Sequence, residues 1–380
     1  MKAKVSVTNI VPKGLRLAPS QVWGTLRLVP VLRDEVREDL RFAQRSYDDD
    51  LTLVSLKGGL KEPGLKYLSY VPHGLVMSWE GRHAEAVVGT QLKKPEGKAL
   101  KVGPHTLRLM HRMVRREEKN RLRMLPLHLA MEGFLSLHFG GPEVAWAEYS
   151  REALSHGLDP RTEWSVPGWA NPLFDEALRV FEIHERQVGV LLFHADLLLS
   201  AFIVSHPEDY RALHRTLLED FYGELLLQYG FLDSAASLES PIDERRVSSL
   251  GELRAAVERM REDWAWFQGF MAGGLFGAEV WATSVYGAGP FHLQRFVTSL
   301  QVSEENHIGE LITREDGTLE YLKTYRLSAA QTRRAYLLKQ LALADWNLDR
   351  AAESLKTTRA ELILRLRNAG FGYLLKDSVK

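Results

Sequence analysis

The chain has 380 residues, enough to bury a large core and to form two or three domains. Hydrophobic residues make up 45% and charged residues 26%, as in an ordinary globular protein, with 49 basic side chains against 49 acidic ones. There is no cysteine, which excludes disulfides and thiolate chemistry, and no apolar run reaches the length of a bilayer span, so a cytoplasmic protein is expected.

Met1 to Val7 alternates like a strand and lacks the apolar core and cleavage site of a leader. Strand patterns continue at Gly24–Leu32 and Leu51–Leu56, with turns at Gly58-Gly59 and Pro63-Gly64. Tyr67–Trp79 reads as one or two strands, and Thr106–Met110 as another beyond the polar loop Lys93–Lys98. A basic patch follows: Arg108, Arg112, Arg115, Arg116, Lys119, Arg121 and Arg123. Glu117 and Glu118 interrupt it and no aromatic residue lies within it, so a solvated hairpin tip is preferred to a nucleic-acid groove. Leu125–Phe139 alternates and turns at Glu132-Gly133, which predicts a β-hairpin. Trp146, Trp164 and Trp169 lie in a long Pro/Gly-containing loop, where they either line a pocket or cover the sheet.

Asn171–Glu182 reads as a helix with Asn171 as N-cap. Gln187–Phe193 and Asp196–Val204 are apolar strands joined at His194-Ala195. Ser205 and Glu208 bracket His206-Pro207 as a capping box, opening a helix to about Tyr229. Residues 233–248 are polar and irregular, and read as a linker. Ser249 with Glu252 opens an amphipathic helix through Trp264 and Phe267, ended by Gly269, Gly273, Gly274 and Gly277. Strands resume at Val280–Val285 and Phe291–Leu300. Ile308–Thr313 and Leu319–Tyr325 then form a hairpin through Asp316-Gly317.

The last fifty residues carry the most specific pattern. Ser328 with Gln331 is a capping box, and Ala335, Leu338, Leu341 and Ala342 recur behind it at helical spacing. Asn347 caps a short helix bearing Ala351 and Ala352, small enough for another backbone to approach. Thr358 with Glu361 opens a third helix through Leu362 and Leu366, closed by Gly370. Three helices with a tight turn make a helix-turn-helix. From Ser328 onward ten basic residues face five acids, so this segment is net +5 and the remainder net −5. That is the balance of a phosphate-contacting module on an acidic body. Against it, Ile363 and Leu364 widen the apolar girth of the third helix, the mark of a helix packed on the body or a partner.

Asn347, Ala351-Ala352, Leu355, Thr358-Arg359, Leu362, Leu366 and Gly370-Phe371 resemble the Fis-type helix-turn-helix. Lys356 stands where that family usually has its turn glycine, and Thr357 where it usually has a buried aliphatic residue. The resemblance implies contact with double-stranded DNA, with Lys356, Thr358, Arg359, Glu361 and Arg365 facing the duplex. A single such unit reads only a few base pairs, so a homodimer is expected.

No Walker-type GxxxxGK[ST], GxGxxG, HExxH or GxSxG motif occurs, and no catalytic residue, metal site or cofactor is assigned. Polar residues that could meet a ligand at a sheet edge are Glu185, Arg186 and Gln187 before one strand, and Glu310 in the last hairpin. His194 and His206 join this ligand-binding set, beside His184 and His214 around the strand-strand-helix unit. The stretch from Gln187 to Tyr229 resembles ARPP-type domains: a Val-Gly strand, a second apolar strand, a His-Pro-Glu cap and a helix ending in Leu-Leu and Tyr. Gly289–Phe296 and Ile308–Ser328 resemble a longer variant that carries the terminal helices. This likeness implies a bacterial protein of stress or conflict responses, tied to nucleotide- or NAD-derived ligands.

The expected fold is α+β: residues 1–232 as a β-rich domain, 233–248 as linker, 249–327 as a helix plus β-hairpin segment, and 328–380 as the helix-turn-helix. The expected function is a DNA-associated regulator with a ligand- or partner-sensing body. The alternative is a protein that binds or hydrolyses nucleotide derivatives and uses the terminal helices only for packing.

Overall fold

A computed structural model describes residues 5–23, 25–48, 51–58, 65–68, 76–78, 84–88, 91–93, 96, 105–109, 134–135, 138–139, 181–217 and 242–375. Its strands are β1 (Val5–Asn9), β2 (Leu15–Leu17), β3 (Gln21–Trp23), β4 (Leu26–Arg33), β5 (Leu40–Asp48), β6 (Leu51–Gly58), β7 (Lys66–Leu68), β8 (Val76–Ser78), β9 (Ala84–Val88), β10 (Gln91–Lys93) and β11 (His105–Leu109). After these come β12 (Gln187–His194), β13 (Leu197–Ile203), β14 (Glu279–Ala288), β15 (Phe291–Thr298), β16 (His307–Arg314) and β17 (Leu319–Arg326). The helices are α1 (Pro207–Leu217), α2 (Leu250–Met271), α3 (Ala329–Leu343), α4 (Leu348–Ser354) and α5 (Arg359–Asn368). The architecture is mixed α+β, as the sequence patterns predict.

One antiparallel sheet dominates, in the order β1-β14-β15-β16-β17-β13-β12-β4-β2, with β3 also on β4. Strands from both sides of residues 233–248 therefore share it; within that segment Glu244–Arg246 forms a 3-10 turn. β4 is buried along its whole length, yet it contains Pro30. The proline is tolerated because β2 pairs up to Val31 and β3 begins opposite Leu28, leaving Pro30 at the gap between them. There its carbonyl accepts from Ala18 N, and no ladder bond asks for the missing N–H.

The sheet must curl. Eight strand-to-strand gaps separate β1 from β2 in the pairing order, about 38 Å if flat. The chain from Asn9 to Leu15 can span only about 21 Å. The connecting segment crosses the concave face, where Ile10 joins a core of Val29, Val31, Leu191, Phe193, Phe296 and Leu322. The opposite face carries Leu28, Leu192, Phe202, Leu293, Val297 and Tyr321. Leu40 and Phe42 of β5, Tyr210 and Leu213 of α1, and the three C-terminal helices cover that outer face.

Several local expectations change. Residues 125–139, read as a hairpin, are described only at their end, where Phe134, Leu135 and His138 are helical. Phe139 N donates to Leu135 O at 3.0 Å, and the Phe134 and His138 rings stack four residues apart, so apolar alternation was here half of a helical face. At the start of α1, Ser205 does not cap: its hydroxyl donates to Leu40 O, and His206 Nδ1 accepts from Glu208 N at 3.1 Å. Pro207 does occupy the first helical position. α2 runs through Gly269 to Met271 and is capped by Ala272, with the Ser249–Glu252 capping box in place. The basic residues 112–123, the loop tryptophans and the helix expected at 171–182, except at its last two positions, lie outside the described residues.

Candidate functional site

The C-terminal unit is held together by end chemistry. Ser328 Oγ accepts from Gln331 N while Ser328 N donates to Gln331 Oε1, closing the box that starts α3. Asn347 Oδ1 takes the N–H groups of Asp349 and Arg350 to start α4. At α5 only half of the expected box forms. Thr358 Oγ1 accepts from Glu361 N, but the Glu361 carboxylate turns to Thr357 Oγ1 at 2.7 Å and Arg365 Nη2 at 2.6 Å. These two contacts, Thr357 first, hold the Glu361 carboxyl below the usual range.

All three helices stop in the same way. After α3, Trp346 N reaches Leu341 O and Asp345 N reaches Ala342 O; after α4, Thr357 N reaches Ala352 O and Lys356 N reaches Glu353 O. After α5, Phe371 N reaches Leu366 O and Gly370 N reaches Arg367 O. These paired bonds are Schellman motifs, which need a left-handed residue just past the helix. Gly370 supplies it at φ +81, but the other two stops use Asp345 at φ +51 and Lys356 at φ +51.

The unit is mounted rigidly on the outer face of the sheet. Only Leu327 and Ser328 separate β17 from α3, and Leu327 N donates to Asn306 O at 2.7 Å. Arg326 pairs with Glu305 at 2.9 Å. Lys339 of α3 sits 3.3 Å from the centre of the Trp281 ring and donates to Ser299 O at 3.4 Å. Burial lowers its pKa. Ala335, Leu338, Leu341, Ala351, Ala352, Leu362 and Leu366 join the core of that face.

α5 buries one narrow stripe, Leu362 and Leu366, with Ile363 half-buried beside it. At about 100° per residue, the opposite line is Ala360, Leu364 and Asn368. All three are exposed, Leu364 at 55%, with Glu361 and Arg367 on their flanks. Arg359, the first residue of α5 on the Leu362–Leu366 line, and Arg365 on one side are also exposed, and pair with Asp349 at 3.2 Å and Glu361 at 2.6 Å. Lys356 is exposed in the turn, and Thr358 is exposed as the cap. The five residues expected to face DNA are all exposed, in α5 and in the turn before it. The spacing of Ala360, Leu364 and Asn368 opposite Leu362 and Leu366 is legible in the sequence.

The six ligand candidates do not come together. Glu185 and Arg186 are exposed in the turn before β12, where Arg186 Nη1 donates to Asp34 O and Arg211 Nη2 donates to Glu185 O. Gln187 is buried; its amide takes His184 N and donates to Gly189 O. His194 is at the other end of β12, about 23 Å of strand away. Its Nε2 lies 3.0 Å from Thr25 Oγ1, and burial lowers its pKa. His206 Nε2 donates to Glu38 at 2.9 Å beside Arg41, which grips buried Asp209; this network ties α1 to β5. Glu310 is fully buried in mid-β16, opposite Arg295 of β15 and Lys323 of β17. Where the 10–14 crossing meets the β16–β17 turn, a cleft of about 320 Å³ is lined by Thr8, Lys13, Gln294, Thr313 and Asp316, among others. Among the described residues no His/Asp/Glu group could hold a metal ion, and no helix is long and apolar enough to cross a membrane.

Residues 10–289 match the model of a protein family, ARPP-2. The chain belongs to the ARPP-2 family. The match takes in β12, β13 and α1, on which the ARPP-type resemblance rested, and ends at Gly289. In this ARPP-2 protein β15–β17 and the C-terminal helices therefore lie beyond the family region, although β15–β17 continue its main sheet. No curated protein and no solved structure matches the chain.

Proposed function

We propose that this ARPP-2 protein is a cytoplasmic, DNA-associated regulator of a bacterial stress or conflict response. Its C-terminal unit acts as a Fis-type helix-turn-helix and its body senses a small ligand. One observation carries the reading: α5 turns Ala360, Glu361, Leu364, Arg367 and Asn368 outward, with Arg365 beside that face and Arg359 exposed at the helix start. A helix with this face has cations for phosphates, an amide for an adenine edge and small apolar groups for thymine methyls. The left-handed stop at Lys356, where Fis-type units usually carry glycine, supports the same reading. Arg359 and Arg365 are already paired with exposed acids, and a surface pair worth about 0–1 kcal/mol is cheaply exchanged for a phosphate. Because one unit reads few base pairs, the active form is a homodimer on two half-sites.

The test is a mobility-shift titration with duplex DNA at two salt concentrations. The expected result is binding that weakens steeply with salt, and that weakens further, with a shallower salt slope, in the Arg359→Ala/Arg365→Ala double variant. Binding unchanged in that variant would remove α5 from the interface.

A further inference from the structure

Three polar side chains on the concave face of the sheet converge on a cleft. Thr8 lies opposite Val280, Gln294 opposite Leu311 and Thr313 opposite Leu319, and those three apolar partners belong to the concave core. Directly opposed strand residues share a face, so the two threonines and the glutamine point inward as well. Thr298 continues the Thr8–Val280 row, and its hydroxyl donates to Asn306 Oδ1 and accepts from His307 N. The side chains of Thr8, Gln294 and Thr313 hold no such bond among the described residues. They line the cleft of about 320 Å³ between the 10–14 crossing and the β16–β17 turn.

The cleft is graded from apolar to charged. Ile10, Leu311 and Leu319 form a buried floor, Thr8, Gln294 and Thr313 are half-buried walls, and Lys13 and Asp316 stand exposed at the rim. Lys13 Nζ donates to Asp316 O at 3.3 Å. The Asp316 carboxylate accepts from Thr318 N at 2.8 Å and lies 3.9 Å from Arg37. One cation and one carboxylate thus line the rim, and the carboxylate is already engaged. A cationic ligand finds no spare carboxylate there, and an anion at Lys13 would have Asp316 beside it. No aromatic ring lines the cleft among the described residues, so a planar base has nothing to stack on.

We infer that this cleft binds an uncharged saturated ring bearing hydroxyl groups, a free monosaccharide or the ribose of a nucleoside. Hydroxyls both donate and accept, as do the Gln294 amide and the Thr8 and Thr313 hydroxyls. The C–H face of such a ring packs on the apolar floor, and a few placed polar groups fix its orientation. Because the walls are half-buried, the ligand displaces water rather than protein contacts. An occupant ties the 10–14 crossing to the β16–β17 hairpin, which leads through Leu327 and Ser328 into α3. The inference rests on the ligand-sensing part of the proposed function and is independent of DNA binding.

Calorimetric titration and thermal unfolding of the full chain, without DNA, test it with D-glucose, D-ribose and adenosine at up to millimolar concentrations. Glucose or ribose binding reports a free-sugar site, and adenosine bound more tightly than ribose reports a nucleoside site. At least one probe should bind and raise the unfolding midpoint. Its affinity should fall about tenfold in Gln294→Met and several-fold in Thr313→Val, both close in shape to the native side chain. Should one variant fail to fold, the other decides. No binding by any of the three probes overturns the cleft site. Binding unchanged in the folded variants also overturns it, while leaving a ligand-sensing body with its site elsewhere. A probe that binds at the cleft in a protein with no affinity for duplex DNA would leave the site standing and remove only the regulator.

Discussion

Around the β16–β17 hairpin, Arg33 and Glu320 are 4% and 2% exposed and pair with each other, and Arg314 joins Glu320 on one side and Asp39 on the other. On the C-terminal helices, Arg359 and Asp349 are 49% and 67% exposed, and Arg365 and Glu361 are 48% and 50% exposed. The first group has given up water for fixed protein partners. The second keeps its water and loses little if a partner changes. Charge in the body fixes architecture, whereas charge on the C-terminal unit remains available for an outside ligand.

The largest test of this contrast is Glu320→Gln. It leaves the buried Arg33 guanidinium without a carboxylate and Arg314 with Asp39 alone, which should cost about 3–5 kcal/mol in urea unfolding. Asp349→Asn removes an exposed partner of Arg359 and should cost less than about 1 kcal/mol. Equal effects from the two substitutions would end the comparison.

Acid provides the next test, because the body alone hides histidines. His138 and His214 are pushed down to about 3 and about 4 by burial. Below the ordinary histidine value of about 6.5 the unfolded chain takes up protons that the folded chain refuses. Their contribution is complete above that value and falls as pH drops toward the folded values. Between pH 6.5 and 5 each should cost about 2 kcal/mol. His214→Gln should flatten the stability-versus-pH curve in that window by about this amount, read from urea midpoints at each pH. An unchanged slope would show that His214 is not held neutral.

The same division explains what could be read from the chain. Ser328 with Gln331, Asn347, the Ala351-Ala352 pair and Gly370 are local signals, and each recurs in the structure at its expected place. Apolar runs and alternation locate β12–β17 within a few residues because each strand is flanked by its own turn chemistry. Neither kind of signal reveals which strands are neighbours. That β1 lies on β14 across almost 280 residues, or that Arg295, Glu310 and Lys323 face one another, depends on pairing between distant segments. The ligand candidates illustrate this: local polarity marks Glu310, while Arg295, opposite it, carries no local sign.

The smallest expected effect is also the most local. Lys356 ends α4 at φ +51, in the left-handed region that a side chain with a Cβ enters at a cost of about 1–2 kcal/mol. Its side chain is exposed and no buried contact would be lost with it. Lys356→Gly should therefore stabilise the protein, but glycine also gives the unfolded chain more freedom, which takes back part of the gain. The net rise should be near 1 kcal/mol, visible as a small upward shift of the unfolding midpoint. Lys356 also belongs to the proposed DNA edge, so the same substitution should weaken duplex binding and lower its salt slope by about one. Stability and affinity moving in opposite directions would mark a turn lysine kept for contact at the expense of the fold. If both instead rose together, the turn would be limiting the precision with which α5 is presented, and Lys356 would have no phosphate to meet.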